Sequence, residues 1–212
     1  MGRMEVGLSK GLIDDYISKF DKKEKNVEEA LKTLIENYPK NTDINEVMIK
    51  VAAIDSMYST QLNRKIARDK ISHVTVMSER IKELKQIDKC LHSDNKTTRM
   101  KAVQGIAIGN KEGYDDAWSF ASKYCSWHNQ SGFAIFDKYS RGTIYSVCKT
   151  KTNALDSIRV TYELLLNYET FYDICEHLIA VIKERYNKEY TFKQIDKFLW
   201  QYGYDHPNIA IS

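Results

Sequence analysis

Residues 115–148 read DDAWSFASKYCSWHNQSGFAIFDKYSRGTIYSVC, and this stretch holds two of the three tryptophans. Taken as a helix from Asp115, its first part is apolar on both flanks. Trp118, Ala121 and Cys125 share one side, and Phe120, Tyr124 and Trp127 share another. A helix apolar nearly all round is a buried helix. The remaining strip is Ser119, Ser122, Lys123 and Ser126, at spacings of three and four that put them on one face. Lys123 is the only Lys, Arg, Asp or Glu between Asp116 and Asp137. A single ammonium among small hydroxyls, flanked by bulky aromatics, reads as a cation in a pocket wall. Desolvation in such a wall penalises the charged form and favours a neutral, nucleophilic amine.

A turn, His128-Asn129-Gln130-Ser131-Gly132, follows, then the apolar run Phe133-Ala134-Ile135-Phe136 and Asp137. An aspartate between an apolar residue and a helical run has the signature of an N-cap. The second helix then carries Lys138, Tyr139, Arg141, Tyr145 and Cys148. The stretch is therefore helix, tight turn, apolar lead-in, helix.

The same helical reading extends in both directions. Residues 9–21 carry Leu12, Ile13, Tyr16, Ile17 and Phe20 at helical spacing, and residues 21–26 read as a solvated connection. A second stripe runs over 27–38 and stops at Pro39. Thr42 or Asp43 caps a third helix bearing Val47, Val51 and Ile54. It leads into the polar Tyr58-Ser59-Thr60-Gln61 and a basic run of Arg64, Lys65, Arg68 and Lys70, which is either a solvated face or the edge of a ligand site. Further periodic stretches cover 71–91, 97–108, 155–166, 171–186 and 192–202. No segment alternates as a half-buried strand would. The expectation is an all-α protein of about nine or ten helices, built either as one compact domain over 1–212 or as two lobes, about 1–110 and 111–212, with a cleft between them.

Composition agrees. Of the 212 residues 29% are charged, with 2 Pro and 9 Gly, the profile of an ordered helical chain. The net charge of +3 is too small to demand or exclude nucleic acid. Cys90, Cys125, Cys148 and Cys175 are far apart and form no C-x-x-C, which suits free thiols in a reducing compartment. The first fifteen residues lack the apolar core of a signal peptide, and no run approaches the ~20 apolar residues of a membrane span. The sequence-based expectation is a cytoplasmic protein with no membrane partner.

Other constellations are weaker. Cys125 and His128 lack the second ligand pair that a structural zinc site uses, so no metal is expected. Asp14-Asp15 and Asp115-Asp116 are adjacent and point apart on a helix. Gly105 and Gly109 have neither the third glycine nor the following Lys-Ser/Thr of a phosphate loop, so no cofactor is expected.

The arrangement around Lys123 and Asp137 resembles the helix-hairpin-helix DNA glycosylases, and within them an 8-oxoguanine DNA glycosylase-like bacterial branch. Ser122-Lys123 in FASKYCSWHN is similar to the catalytic lysine position, and AIFDKYSR over 134–141 is similar to the aspartate segment. Tyr58-Ser59-Thr60-Gln61 resembles the polar segment that lines the DNA-facing cleft. The family's Leu-Pro-Gly-x-Gly hairpin is replaced by Asp116-Ala-Trp-Ser-Phe-Ala-Ser.

The resemblance implies an all-α glycosylase fold and a base-excision repair activity on duplex DNA without a cofactor. Lys123 would be the nucleophile and Asp137 its carboxylate assistant, acting on a base flipped from the duplex. Ser59, Gln61, Lys138, Arg141, Lys149 and Lys151 would hold the DNA. Trp118, Phe120 or Trp127 would stack on the base, with core packing as the alternative for all three. The rival expectation is a non-catalytic helical protein on the same scaffold that binds nucleic acid or a protein.

Overall fold

A computed structural model of the chain describes residues 6–66, 72–108, 116–150 and 160–209. The fold is all-α, and no strand occurs among the described residues. Among the described residues ten α-helices run in order: α1 Lys10–Asn37, α2 Ile44–Tyr58, α3 Leu62–Ile66, α4 His73–Glu83, α5 Ile87–Leu91, α6 Lys96–Ala107, α7 Trp118–His128, α8 Lys138–Lys149, α9 Tyr168–Tyr186 and α10 Phe192–Asp205. No described helix is long and apolar enough to cross a membrane. No cluster of three His, Cys, Asp or Glu among the described residues could hold a metal ion.

Packing groups the chain into two units, Asn26–Phe133 and Met1–Lys25 with Ala134–Ser212. The first boundary therefore falls inside α1 and the second just after the turn that follows α7, away from position 110.

In the unit Asn26–Phe133, α2 packs on α4 and α7, and α6 packs on α5, α4 and α7. The core takes Leu31, Val47, Val51, Ile54, Met77, Ile81, Leu91, Val103, Ile106, Phe120 and Ala121, all buried. Burying such a side chain contributes about 1.5–3 kcal/mol before chain entropy is subtracted. Asp43 caps α2 by accepting from the Asn45 and Glu46 amides, and Asn95 caps α6 by accepting from the Thr98 amide. These acceptors satisfy amides that have no partner within the helix.

In the other unit, α10 packs on α8 and α9. Thr191 and Gln194 close a reciprocal capping box at the start of α10, and Asn167 caps α9. The α8–α10 crossing is close at Gly203. A Cβ there would meet the Tyr139 carbonyl oxygen at 2.7 Å and Thr143 Oγ1 at 2.8 Å. Thr143 Oγ1 also donates to the Leu199 carbonyl at 2.8 Å.

Four sequence-based expectations change. The stripes over 9–21 and 27–38 belong to one helix, α1. The intervening Asp21-Lys-Lys-Glu-Lys-Asn holds no Gly or Pro, and Lys and Glu are good helix formers. The stretch 71–91 is two helices, because Leu84 is extended and Gln86 adopts φ 63°. The buried helix starts at Trp118, after the non-helical Asp116 and Ala117, and Asp115 lies outside the described residues. Residues 160–166 are not α-helical and hold only a 3₁₀ turn at Leu164–Leu166, while 151–159 lie outside the described residues.

All four cysteines are free. Cys125, Cys148 and Cys175 are buried, and Cys90 is half-buried. Burial pushes the Cys148 thiol up to about 12 and the Cys125 and Cys175 thiols well above the usual range. Buried thiols of this kind are poor nucleophiles.

Candidate lysine site

Lys123 sits on α7, the most enclosed helix of its unit. Every residue from Phe120 to His128 is buried. The helix begins where the Ala117 amide donates to the Ala107 carbonyl at 3.0 Å, which ties its start to the end of α6. The Lys123 side chain is 2% exposed. Its ammonium donates to Ser119 Oγ at 2.8 Å, one turn earlier on the same strip. It also lies 5.8 Å from the centre of the Tyr58 ring. Of the serines expected on this face, Ser119 meets the lysine directly. Ser122 Oγ donates to the Ser119 carbonyl at 3.2 Å, and the buried Ser126 Oγ has no hydrogen-bond partner among the described residues.

Tyr58 ends α2 and completes one wall. Its hydroxyl accepts from Trp127 Nε1 at 3.1 Å and donates to Glu28 Oε1 at 3.0 Å. The chain then turns sharply, with Ser59 at φ 49° and Gln61 at φ 60°. Left-handed backbone is unfavourable for side chains of this kind. Asp55 holds the corner: its Oδ1 accepts from Thr60 Oγ1 and from the Leu62 amide, and its Oδ2 lies 3.2 Å from His73 Nε2. Ser59 and Gln61 are exposed on this corner, and Gln61 Oε1 accepts from Arg64 at 3.2 Å. Asp55 and His73 were not legible as site residues, since each falls within an ordinary helical stretch.

The aromatic candidates divide by burial. Phe120 and Trp127 are core residues at 1% and 5% exposure, whereas Trp118 is half-buried with Nε1 donating to Asp116 at 3.3 Å. All of these, with Lys123, Tyr58, Ser59 and Gln61, belong to the unit Asn26–Phe133.

Asp137 and the expected phosphate-holding residues belong to the other unit. Asp137 caps α8, its Oδ1 accepting from the Tyr139 amide at 2.9 Å, as its sequence context predicts. Lys138 and Lys149 are exposed, and each ammonium lies over a ring, Tyr139 at 4.8 Å and Tyr145 at 5.6 Å. Arg141 is half-buried with its guanidinium 4.6 Å from the Phe136 ring. Burial pulls the Arg141 pKa down against the opposing charge of Asp137. Lys151 lies outside the described residues.

Sequence reasoning missed a second polar centre in the unit Asn26–Phe133. Lys50 is fully buried and donates to the Tyr38 carbonyl at 3.0 Å, the Lys40 carbonyl at 2.7 Å and Asn41 Oδ1 at 2.7 Å. Asn41 Oδ1 also accepts from the Tyr124 hydroxyl, and Asn41 Nδ2 donates to Asp88 Oδ1 at 2.6 Å. Burial lowers the Lys50 pKa to about 8, with Asp88 and Glu46 opposing. Nearby, His128 is 8% exposed and its Nε2 has no hydrogen-bond partner among the described residues. Burial, then the charge of Lys50, then His92 pull the His128 pKa down to about 3. One signal was available: Lys50 falls between Val47 and Ile54 on the apolar stripe of α2.

Comparison with known proteins adds a family. An uncharacterized protein of Haemophilus influenzae is 25% identical over 169 residues, covering 77% of this chain and 69% of that one. No solved structure matches. Residues 12–132, more than half of the chain, match the family described as HI_0787_N, an N-terminal domain. That span runs from the start of α1 through Lys123 and ends one residue before the unit boundary at Phe133. The chain belongs to the HI_0787_N N-terminal domain family.

Proposed function

We propose that this chain is a DNA glycosylase-like enzyme of base-excision repair, with Lys123 as the nucleophile. One observation carries the reading: Lys123 is 2% exposed, and its side-chain nitrogen donates to Ser119 Oγ at 2.8 Å. A lysine nitrogen, once deprotonated, is a nucleophile that can attack carbon. A base flipped from the duplex would present its sugar to the amine. The nitrogen would attack C1′, the base would leave with the bonding pair, and loss of the nitrogen's proton with ring opening would give a Schiff base. Water would release the sugar, or β-elimination would expel the 3′ phosphate. The resemblance assigns Asp137 the stabilisation of the cationic sugar, and assigns DNA contacts to Ser59, Gln61, Lys138, Arg141, Lys149 and Lys151.

The second reading, a non-catalytic helical protein that binds nucleic acid or a protein, is favoured by a different observation. Lys123 and Asp137 both have structural work, the first within the buried stretch Phe120–His128 and the second as an N-cap.

Borohydride trapping separates the two. Wild type and Lys123→Gln are incubated with duplex DNA that carries an abasic site or 8-oxoguanine, and covalent adducts are scored on a denaturing gel. The expected result is an adduct with wild type that is absent with Lys123→Gln at an unchanged melting temperature. Duplex binding without an adduct rejects the lysine-nucleophile mechanism and leaves the second reading. Absence of both binding and adduct removes DNA as the partner.

A further inference from the structure

The unit formed by Met1–Lys25 and Ala134–Ser212 carries a set of aromatic rings with a different character from the buried strip on α7. Trp200 and Tyr204, one turn apart on α10, stack with centroids 5.0 Å apart and planes 16° from parallel. Both are held edge-on. Tyr139 of α8 meets Trp200 at 5.9 Å and 83° and Tyr204 at 5.8 Å and 70°. Phe20 of α1 meets Trp200 at 5.6 Å and 90°. The close α8–α10 crossing at Gly203 fixes these contacts, because the Tyr139 backbone lies directly against it. Rings that served the core alone would be buried, yet Tyr204 is 46% exposed and Trp200 is half-buried.

A cation flanks this stack. The Lys23 ammonium lies 3.7 Å from the Tyr204 centroid and 5.0 Å from that of Trp200. Its side chain is 41% exposed. A second exposed ammonium, Lys138, lies 4.8 Å over Tyr139. The nearby carboxylates are largely answered: Asp21 pairs with Lys197 at 2.7 Å, and Asp205 pairs with Lys19. Glu24 stands 3.5 Å from Lys23.

We infer that the Trp200–Tyr204 stack, with Lys23 and Lys138, is a binding platform for single-stranded nucleic acid. A base stacks on the exposed surface of Tyr204, and the flexible stem of Lys23 lets its ammonium move from beside the rings to the adjoining phosphate. The exchange is favourable because an exposed cation–π contact is weak, and because both the ring and the ammonium regain a partner. Rings pre-positioned by edge contacts lose little freedom on binding. A duplex keeps its base faces stacked inside and cannot use this surface. An acidic peptide would satisfy the lysines and leave the ring face uncovered. The platform is independent of the chemistry proposed for Lys123.

The test is anisotropy of a labelled oligo(dT) titrated with the full chain. Tyr204→Ala is expected to weaken binding about tenfold or more, as loss of one base–aromatic stack does, while Tyr204→Trp retains it. Lys23→Ala and Lys138→Ala are each expected to flatten the dependence of log affinity on log salt by about 0.7. Circular dichroism checks that each variant keeps its helix content. Three results would overturn the inference: affinity for oligo(dT) unchanged in Tyr204→Ala, a random-sequence duplex bound as tightly as the single strand, or poly-glutamate displacing the oligonucleotide as effectively as unlabelled oligo(dT).

Discussion

His128 ends α7 where a helix dipole favours a cation, yet its ring is held neutral. Burial, Lys50 and His92 together outweigh the dipole and pull its pKa to about 3. The unfolded chain binds this proton from about pH 6.5 downward, while the folded chain does so only near 3. Stability from this group is therefore complete above the unfolded value and is lost as pH falls, at about 1.4 kcal/mol per unit through that window. Urea midpoints measured from pH 7 to pH 4 are expected to fall in wild type and to fall less steeply in His128→Gln. Equal slopes would place the ring in water.

Lys50 answers two carbonyls just beyond α1 and the Asn41 amide oxygen. Lys50→Met keeps the volume and strands these acceptors, so a loss of about 2–3 kcal/mol is expected in chemical denaturation. Asp137 separates two roles at a single position. As a cap its loss in Asp137→Ala costs about 1 kcal/mol, whereas Asp137→Asn still accepts from the Tyr139 amide and melts close to wild type. Any DNA-processing activity that Asp137→Asn abolishes is then a property of the carboxylate charge, not of the cap.

At the scale of elements, the α8–α10 crossing turns on Gly203. Alanine there gains up to about 1 kcal/mol of helix propensity, but its Cβ meets the Tyr139 carbonyl and Thr143 Oγ1 inside contact distance, and overpacking costs about 1–3 kcal/mol. The backbone cannot swing aside as a long side chain can. Gly203→Ala is therefore expected to lower the melting temperature, and a gain would mean that the helices separate freely. This is also the scale at which the sequence speaks most clearly. The apolar stripes of α2, α6, α7 and α10 and the cap at Asp137 were legible because each is a local pattern. The continuity of α1 was not, because a solvated run was read as a connection, whereas the run is largely exposed and helical. From that exposed side Asp21 and Lys23 meet Lys197, Trp200 and Tyr204. The break between α4 and α5 was hidden because Gln86, not a glycine or asparagine, takes the left-handed turn. Leu84 there fills the space beside Gly105. The buried strip around Lys123 was visible from spacing alone. Its wall at Tyr58, and the Lys50 network joining Asn41, Asp88 and Tyr124, depend on tertiary contacts that periodicity does not encode.

At the scale of the whole molecule, family membership and packing coincide at one end. The HI_0787_N match stops at residue 132 and the unit stops at Phe133, so Lys123 and its wall lie inside the shared domain. Trp200 and Tyr204 lie beyond the matched span. The distribution of thiols has its own consequence. Cys90 is half-buried on α5, while Cys125, Cys148 and Cys175 are enclosed, one in the unit Asn26–Phe133 and two in the other. A maleimide or aromatic disulfide reagent meets one ready sulfur on the native chain. The other three become reactive only when their surroundings open, so the order of alkylation, read by mass spectrometry, works as a built-in clock for the opening of each unit.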